Sequence, residues 1–283
     1  MPEFAYLQQI DVDGKGFADC YDELPLWSAP FALQLLEKVP LSPRKTYVDV
    51  GAGTGFLSVE LAERCGPEAT IVAVDPWRAA MDRLAGKLEV RKLRNIRLLV
   101  QDAALEMMPP SSVDVVVSNL GINNFEDPAR VLENCFRMTK EGGQIILTTN
   151  LRGHMAEFYE IFRATLVSLG QDDRINELDE HIAHRSTIKS VSDLTSRAGF
   201  IITDTTTSTF KMRFADGSAF LRHSFIRMAF LPAWIRILRP TLLLDTLAAL
   251  ETNLNLSAAN EHELALTIPI ACLCATKPVA AQI

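Results

Sequence analysis

From Lys45 onward, short runs rich in Val, Ile and Leu alternate with stretches in which apolar residues recur every three or four positions. The runs predict strands at residues 46–50, 70–75, 96–101, 113–118 and 144–149, with a sixth at about 200–205 and a seventh at about 264–275. The periodic stretches predict helices at residues 56–65, 78–88, 128–138 and 155–169. Strands that are apolar throughout, rather than on alternate positions, belong to parallel sheets covered on both faces. The expected fold is therefore α/β: a seven-stranded, mostly parallel sheet with helices on both faces. Glu141, Gly142 and Gly143 are expected to end the 128–138 helix and turn the chain into the next strand, because glycine tolerates positive φ. Pro269 lacks an N–H, so a bulge or a pairing gap is expected in the last strand.

Two segments fall outside the alternation, the acidic residues 1–44 and the Phe-, Leu- and Arg-rich residues 211–262. The expected organisation is a helical cover over 1–44 and a core over 45–210. A helical cap at 211–262 is inserted between the last two strands, and residues 263–283 form the last strand and a tail. Within the cap, residues 213–239 hold five arginines against one acid, Asp216, interleaved with Phe214, Phe220, Phe225, Phe230 and Trp234. That mixture fits a packed helical subdomain, a lid over a greasy substrate whose arginines meet a carboxylate or phosphate, or a peripheral membrane contact.

Composition narrows the function. Of 283 residues, 48% are hydrophobic and 22% charged, which is a globular profile. A net charge of -7 opposes binding to phosphate backbones, so no nucleic-acid partner is expected. None of the five cysteines forms a C-x-x-C pair, so no metal site is expected, and a cytoplasmic location is. The N-terminus has no apolar core of a signal peptide, and residues 225–250 are broken by Arg227, Pro232, Arg236, Arg239, Pro240 and Asp245, which defeats a membrane span.

The most informative stretch is Val48-Asp49-Val50-Gly51-Ala52-Gly53-Thr54-Gly55, a strand running into a glycine loop that opens a helix. Backbone N–H groups at such a junction are unpaired, and missing Cβ atoms let a nucleotide-type ligand come close. The dinucleotide fingerprint G-x-G-x-x-G is not met, because Phe56 stands where its last glycine belongs. Asp75 ends the second predicted strand, where a carboxylate can accept both hydroxyls of a ribose.

Together these residues resemble the class I, Rossmann-like S-adenosylmethionine-dependent methyltransferases, over roughly residues 45–205 and 264–277. Within that class the chain is similar to the small-molecule methyltransferases of ubiquinone and menaquinone biosynthesis, including a Tyr21-Asp22 pair near the N-terminus. The resemblance implies that Asp49, Gly51, Gly53 and Gly55 contact the methionine portion of S-adenosylmethionine and that Asp75 binds its ribose. It further implies that Pro76 or Trp77 flanks the adenine, that Asp102 with Ala103 reads the adenine edge, and that the 114–119 strand ends beside the sulfonium, at Asn119. The implied activity is methyl transfer by in-line displacement to a small, apolar or amphipathic acceptor, with S-adenosylhomocysteine as product. Ser118-Asn119-Leu120-Gly121 lacks the Pro-Pro-aromatic signature of enzymes that methylate base amino groups. The long segment before the last strand departs from the compact relatives.

For a proton acceptor, His154 lies just past the fifth predicted strand, at the carboxyl edge where ligands of open α/β sheets bind. His223 and Tyr21 are further catalytic candidates, with Tyr159 beside them. His181 and His184 read as a surface pair rather than as metal ligands. Asn123 and Asn124 suit either substrate orientation or a turn. Two other classes share the loop: a non-catalytic S-adenosylmethionine-binding regulator or scaffold, and an NAD-dependent oxidoreductase.

Overall fold

The computed structural model describes Leu7, residues 15–22 and residues 26–280. Much of the expected N-terminal cover, the side chain of Asp22 and the end of the tail lie outside the described residues. The strands are β1 Thr46–Val50, β2 Thr70–Val74, β3 Ile96–Leu99, β4 Val113–Asn119, β5 Thr139–Asn150, β6 Ile201–Phe214 and β7 Leu264–Thr276. The helices up to β6 are α1 Lys15–Asp22, α2 Ala29–Leu36, α3 Phe56–Cys65, α4 Arg78–Arg91, α5 Pro128–Met138, α6 Ala156–Ser168, α7 Ile175–Ala183 and α8 Ile188–Arg197. Between β6 and β7 come α9 Gly217–Arg222, α10 Ser224–Ala229, α11 Leu231–Ile237 and α12 Leu243–Glu261. The described residues fall into two compact units: a sheet unit within 21–150, 186–208 and 270–283, and a helical unit within 1–20, 151–185 and 209–269.

The seven strands lie in the order β3-β2-β1-β4-β5-β7-β6. The pairs β1–β2, β1–β4, β2–β3 and β4–β5 are parallel, and β5–β7 is antiparallel. Alternate residues of each strand supply the two faces. Val48, Val50, Val72, Val116, Ile145 and Leu147 pack with Val131, Leu132 and Cys135 of α5 and Val191 of α8. Tyr47, Ile71, Val115, Val117 and Ile146 pack with Leu35 of α2 and Leu57, Leu61 and Cys65 of α3. The helices after β1 and after β4 thus cover opposite faces. Their loops part over the carboxyl ends of these neighbouring strands, leaving the crevice in which open α/β sheets bind ligands.

Two local expectations change. The glycines of 141–143 do not end α5; it stops at Met138 because Thr139 is already extended, at φ -70° and ψ 135°. Lys140 to Gly143 instead form a bulge inside β5, between the pairs Val113↔Thr139 and Val115↔Gln144, with Gly142 at φ 72°. The sixth strand, expected at about 200–205, extends to Phe214; its polar, largely exposed residues carry no apolar run for a pattern reading to find. Pro269 falls where the β5–β7 ladder ends, one residue beyond the pair Asn150↔Ile270. Its carbonyl accepts the N–H of Leu151, and the Leu151 carbonyl facing it accepts the N–H of His154, so the missing proline donor leaves that carbonyl satisfied.

In the helical unit, Phe158 stacks against Trp234 with ring centroids 4.2 Å apart, and Phe162 and Phe220 pack around Phe158. Three of the five cap arginines meet acids outside residues 213–239: Arg213 with Glu263, Arg222 with Glu251, and Arg239 with Asp173. Among the described residues no helix is long and apolar enough to cross a membrane.

Candidate cofactor site

The glycine loop is pinned to the end of β2. Gly51 and Ala52 both donate N–H to the Val74 carbonyl, at 2.9 and 3.1 Å, and Gly53 N–H donates to Asp75 Oδ2 at 2.8 Å. The loop delivers the chain into α3, whose N-cap, Gly55, has left-handed backbone and no side chain to satisfy the first N–H groups. A cavity of ≈ 270 Å³ opens there, lined by Asp49, Gly51, Ala52, Gly53, Thr54, Phe56 and Leu57. Tyr21 and Ser28 close it on the N-terminal side, Asn119 on the β4 side, and Lys87 and Arg91 on the α4 side.

Two glycines have different tasks. At Gly53, φ is 54° and a Cβ would meet nothing within 4 Å, so the missing side chain leaves space beside the backbone. At Gly55, φ is 82° and a Cβ would lie 2.2 Å from Leu84 Cδ1 of α4, so the missing side chain lets two helices close up.

The acids sit in contrasting surroundings. Asp49 is buried, receives a hydrogen bond from Ser58 Oγ at 2.6 Å, and burial pushes its pKa up to about 7. Asp75 uses both oxygens on backbone donors, the Gly53 and Trp77 N–H groups, each at 2.8 Å. Burial raises its pKa, and those two bonds oppose the rise. Tyr21 lies edge-on to Trp77, with centroids 5.9 Å apart, and burial followed by the Asp75 charge raises its pKa. Its hydroxyl therefore stays protonated at neutral pH, as a hydrogen-bond donor. Asn119 donates to the Ser28 carbonyl at 3.2 Å and accepts from Thr148 Oγ1 at 2.8 Å, joining the start of α2 to the ends of β4 and β5.

Of the residues singled out from sequence, Asp49, Gly51, Gly53, Asn119 and Tyr21 line one cavity. Asp75 braces the loop, and Gly55 packs beneath it. Pro76 is exposed. Asp102 and Ala103 follow β3 and are not among the lining residues; Asp102 Oδ1 accepts the Ala104 N–H at 2.8 Å, and Ala103 is buried in the core. His154 and His223 belong to the helical unit. His154 stacks on Phe230 at 5.3 Å, and burial holds its pKa down at about 3. His223 lies edge-on to Phe214 at 5.4 Å, and burial lowers its pKa too.

Several residues escaped the sequence reading. Ser58 gives Asp49 its hydrogen bond, and Lys87 Nζ reaches the Thr54 carbonyl at 2.8 Å. Asn134 of α5 gives its side-chain amide to the carbonyls of Ala103, Ala104 and Leu105, at 3.1, 2.7 and 3.0 Å, and so fixes the loop after β3. The one signal available for it was a polar residue inside the strongly amphipathic 128–138 helix.

Residues 41–199 match the family model described as a methyltransferase domain. The chain belongs to this methyltransferase family. Two relatives are a ubiquinone biosynthesis O-methyltransferase of Pseudomonas fluorescens, 34% identical over 46% of this chain and 55% of the relative, and a demethylmenaquinone methyltransferase of Geobacillus stearothermophilus, 28% identical over 48% and 60%. The chain spans little more than half the length of these curated relatives. In fold it is similar to phosphoethanolamine N-methyltransferase 2 of Haemonchus contortus, solved in complex with S-adenosyl-L-methionine: the TM-score is 0.53 at 15% identity, covering 88% of this chain and 52% of that one. S-adenosylmethionine is the cofactor of this methyltransferase class, and the cavity fits it. The open flank of Gly53 admits a ligand against the backbone, and the buried carboxyl of Asp49 suits a cationic group.

Proposed function

We propose that the protein transfers a methyl group from S-adenosylmethionine to a small apolar or amphipathic acceptor. The observation that carries this reading is the cavity over the β1–α3 loop, where Asp49 and the open flank of Gly53 face one space and Asp75 holds the loop in shape. In this reading Asp49 takes the methionine ammonium, and Asp75, which is not among the lining residues, takes ribose hydroxyls on the carboxylate lone pairs left beside its two backbone bonds. Ser28 and Asn119 close the side of the cavity at the end of β4. The bound cofactor supplies a methyl group on a positively charged sulfur. Aligning an acceptor with that methyl and excluding water are then the protein's main tasks. An acceptor with a proton to lose needs a base; burial holds the pKa of His154 down at about 3 and lowers that of His223, which weakens both as proton acceptors. The relatives' names refer to ubiquinone and demethylmenaquinone, which supports an apolar acceptor.

Nothing favours a dinucleotide, since Phe56 replaces the late glycine. The reading is tested by incubating the protein with methyl-labelled S-adenosylmethionine and a lipid-soluble metabolite extract. Transfer of label to an organic-phase product is expected. Cofactor binding without labelled product from any extract would instead favour a non-catalytic binding protein.

A further inference from the structure

Asp49 is an unusual carboxyl for a cofactor site. It is the penultimate residue of β1, 1% exposed, and lines the cavity. The hydrogen bond from Ser58 Oγ, at 2.6 Å, comes from a neutral donor. The loop N–H groups of Gly51, Ala52 and Gly53 are given elsewhere, the first two to the Val74 carbonyl and the third to Asp75. The charge of Asp75, the residue after β2, also disfavours a second anion at Asp49. From α4, Lys87 and Arg91 line the same cavity, but Lys87 Nζ is bonded to the Thr54 carbonyl and Arg91 to Glu63 at 2.9 Å. From α1, Tyr21 presents a neutral hydroxyl; from β4 come Ser118 and Asn119, neither of which titrates. A buried carboxyl whose hydrogen bonds come only from the neutral hydroxyl and backbone N–H of Ser58, with an acid for a neighbour, keeps its proton to unusually high pH.

A ligand carrying a methionine ammonium changes that balance, because a cation against Asp49 stabilises the carboxylate. We propose that binding of the methionine-bearing cofactor drives a proton off Asp49, which makes cofactor affinity depend on pH across the neutral range. The inference rests on reading the cavity as the cofactor site. In the step, the Asp49 O–H bond breaks, the electron pair stays on the carboxylate, and the proton passes to buffer. Burial that lifts Asp49 to about 7 places this exchange where intracellular pH varies.

The test is isothermal titration calorimetry of the whole chain with S-adenosylhomocysteine between pH 5.5 and 8, in two buffers of different ionisation enthalpy. Below about pH 7 the dissociation constant should weaken by about tenfold per pH unit. Near pH 6 about one proton should be released per ligand bound. Adenosine, which lacks the ammonium, should bind without proton release. Asp49→Asn should bind S-adenosylhomocysteine more weakly, with a flat pH profile and no proton released. Ser58→Ala removes the hydroxyl donor and keeps the backbone one, so its profile should bend at higher pH than that of the wild type. A constant affinity for S-adenosylhomocysteine from pH 5.5 to 8, or proton release that survives in Asp49→Asn, would overturn the inference while leaving the cofactor reading intact. No binding of S-adenosylhomocysteine at any pH would overturn both.

Discussion

Gly53 and Gly55, two residues apart, are separable by experiment because a methyl group at each would meet different things. Ala at Gly53 bears the cost of a left-handed backbone, roughly 1 kcal/mol, and its methyl points into open space. Gly53→Ala should therefore fold, and its main loss, tenfold or more, should appear in cofactor affinity measured by calorimetry. Ala at Gly55 adds a collision with Leu84 to the same backbone cost, so Gly55→Ala should lose about 2–3 kcal/mol in urea unfolding. His154 makes a prediction of another kind. Its pKa of about 3 in the folded protein lies below the ordinary 6.5, so below pH 6.5 the unfolded chain binds a proton that the folded chain refuses. Stability is lost as pH falls through that window, by up to about 1.4 kcal/mol per pH unit. Asp49 works in the opposite direction over the same range, because its pKa is raised; comparison with His154→Phe cancels that contribution. The gap in urea stability between wild type and His154→Phe should shift in favour of the variant as pH falls from 6.5 to 4.5. A gap that does not move with pH would mean that the imidazole protonates in the folded state.

At the scale of elements, the apolar runs gave away β1 and β2, which are buried on both faces, and the periodic stretches gave away α3 and α5, whose apolar residues recur at helical spacing and are buried. The bulge in β5 was not legible. A Glu-Gly-Gly after a helix suits a helix stop, and only the pairing of Thr139 with Val113 converts it to a strand interior. The polar second half of β6, from residue 206 to Phe214, escaped for the same reason: its place comes from neighbours rather than from its own pattern. Contacts between elements decide function too. Asn134 is buried on α5 and tethers three successive carbonyls of the loop after β3, the loop that carries Asp102 and Ala103. Asn134→Leu leaves those carbonyls without a donor and should cost about 1–3 kcal/mol. Hydrogen exchange at the Ala104 amide, which is held by Asp102, should accelerate along with that loss.

For the molecule as a whole, ligand linkage offers a test independent of chemistry. S-adenosylhomocysteine at a hundred times its dissociation constant should stabilise the sheet unit by about 2.7 kcal/mol, read as a rise in its melting temperature. NAD at the same concentration should leave it unchanged; the reverse pattern would favour the oxidoreductase reading. The cap arginines carry a related lesson. Five arginines in one short stretch suggested a positive surface for a phosphate or membrane, but Glu263, Glu251 and Asp173 meet three of them from elsewhere in the chain. Charge read along a sequence omits partners that only folding supplies.

The order of strands and helices, the glycine loop and the acids that follow it were set locally, by hydrophobic period and by the need for backbone without Cβ, and so could be read from the chain. What surrounds each of those acids could not. Whether Asp49 is ionised, whether Asp75 is spent on holding the loop, and whether His154 can take a proton depend on burial and on donors far away in sequence. Those are properties of packing, which no local pattern encodes.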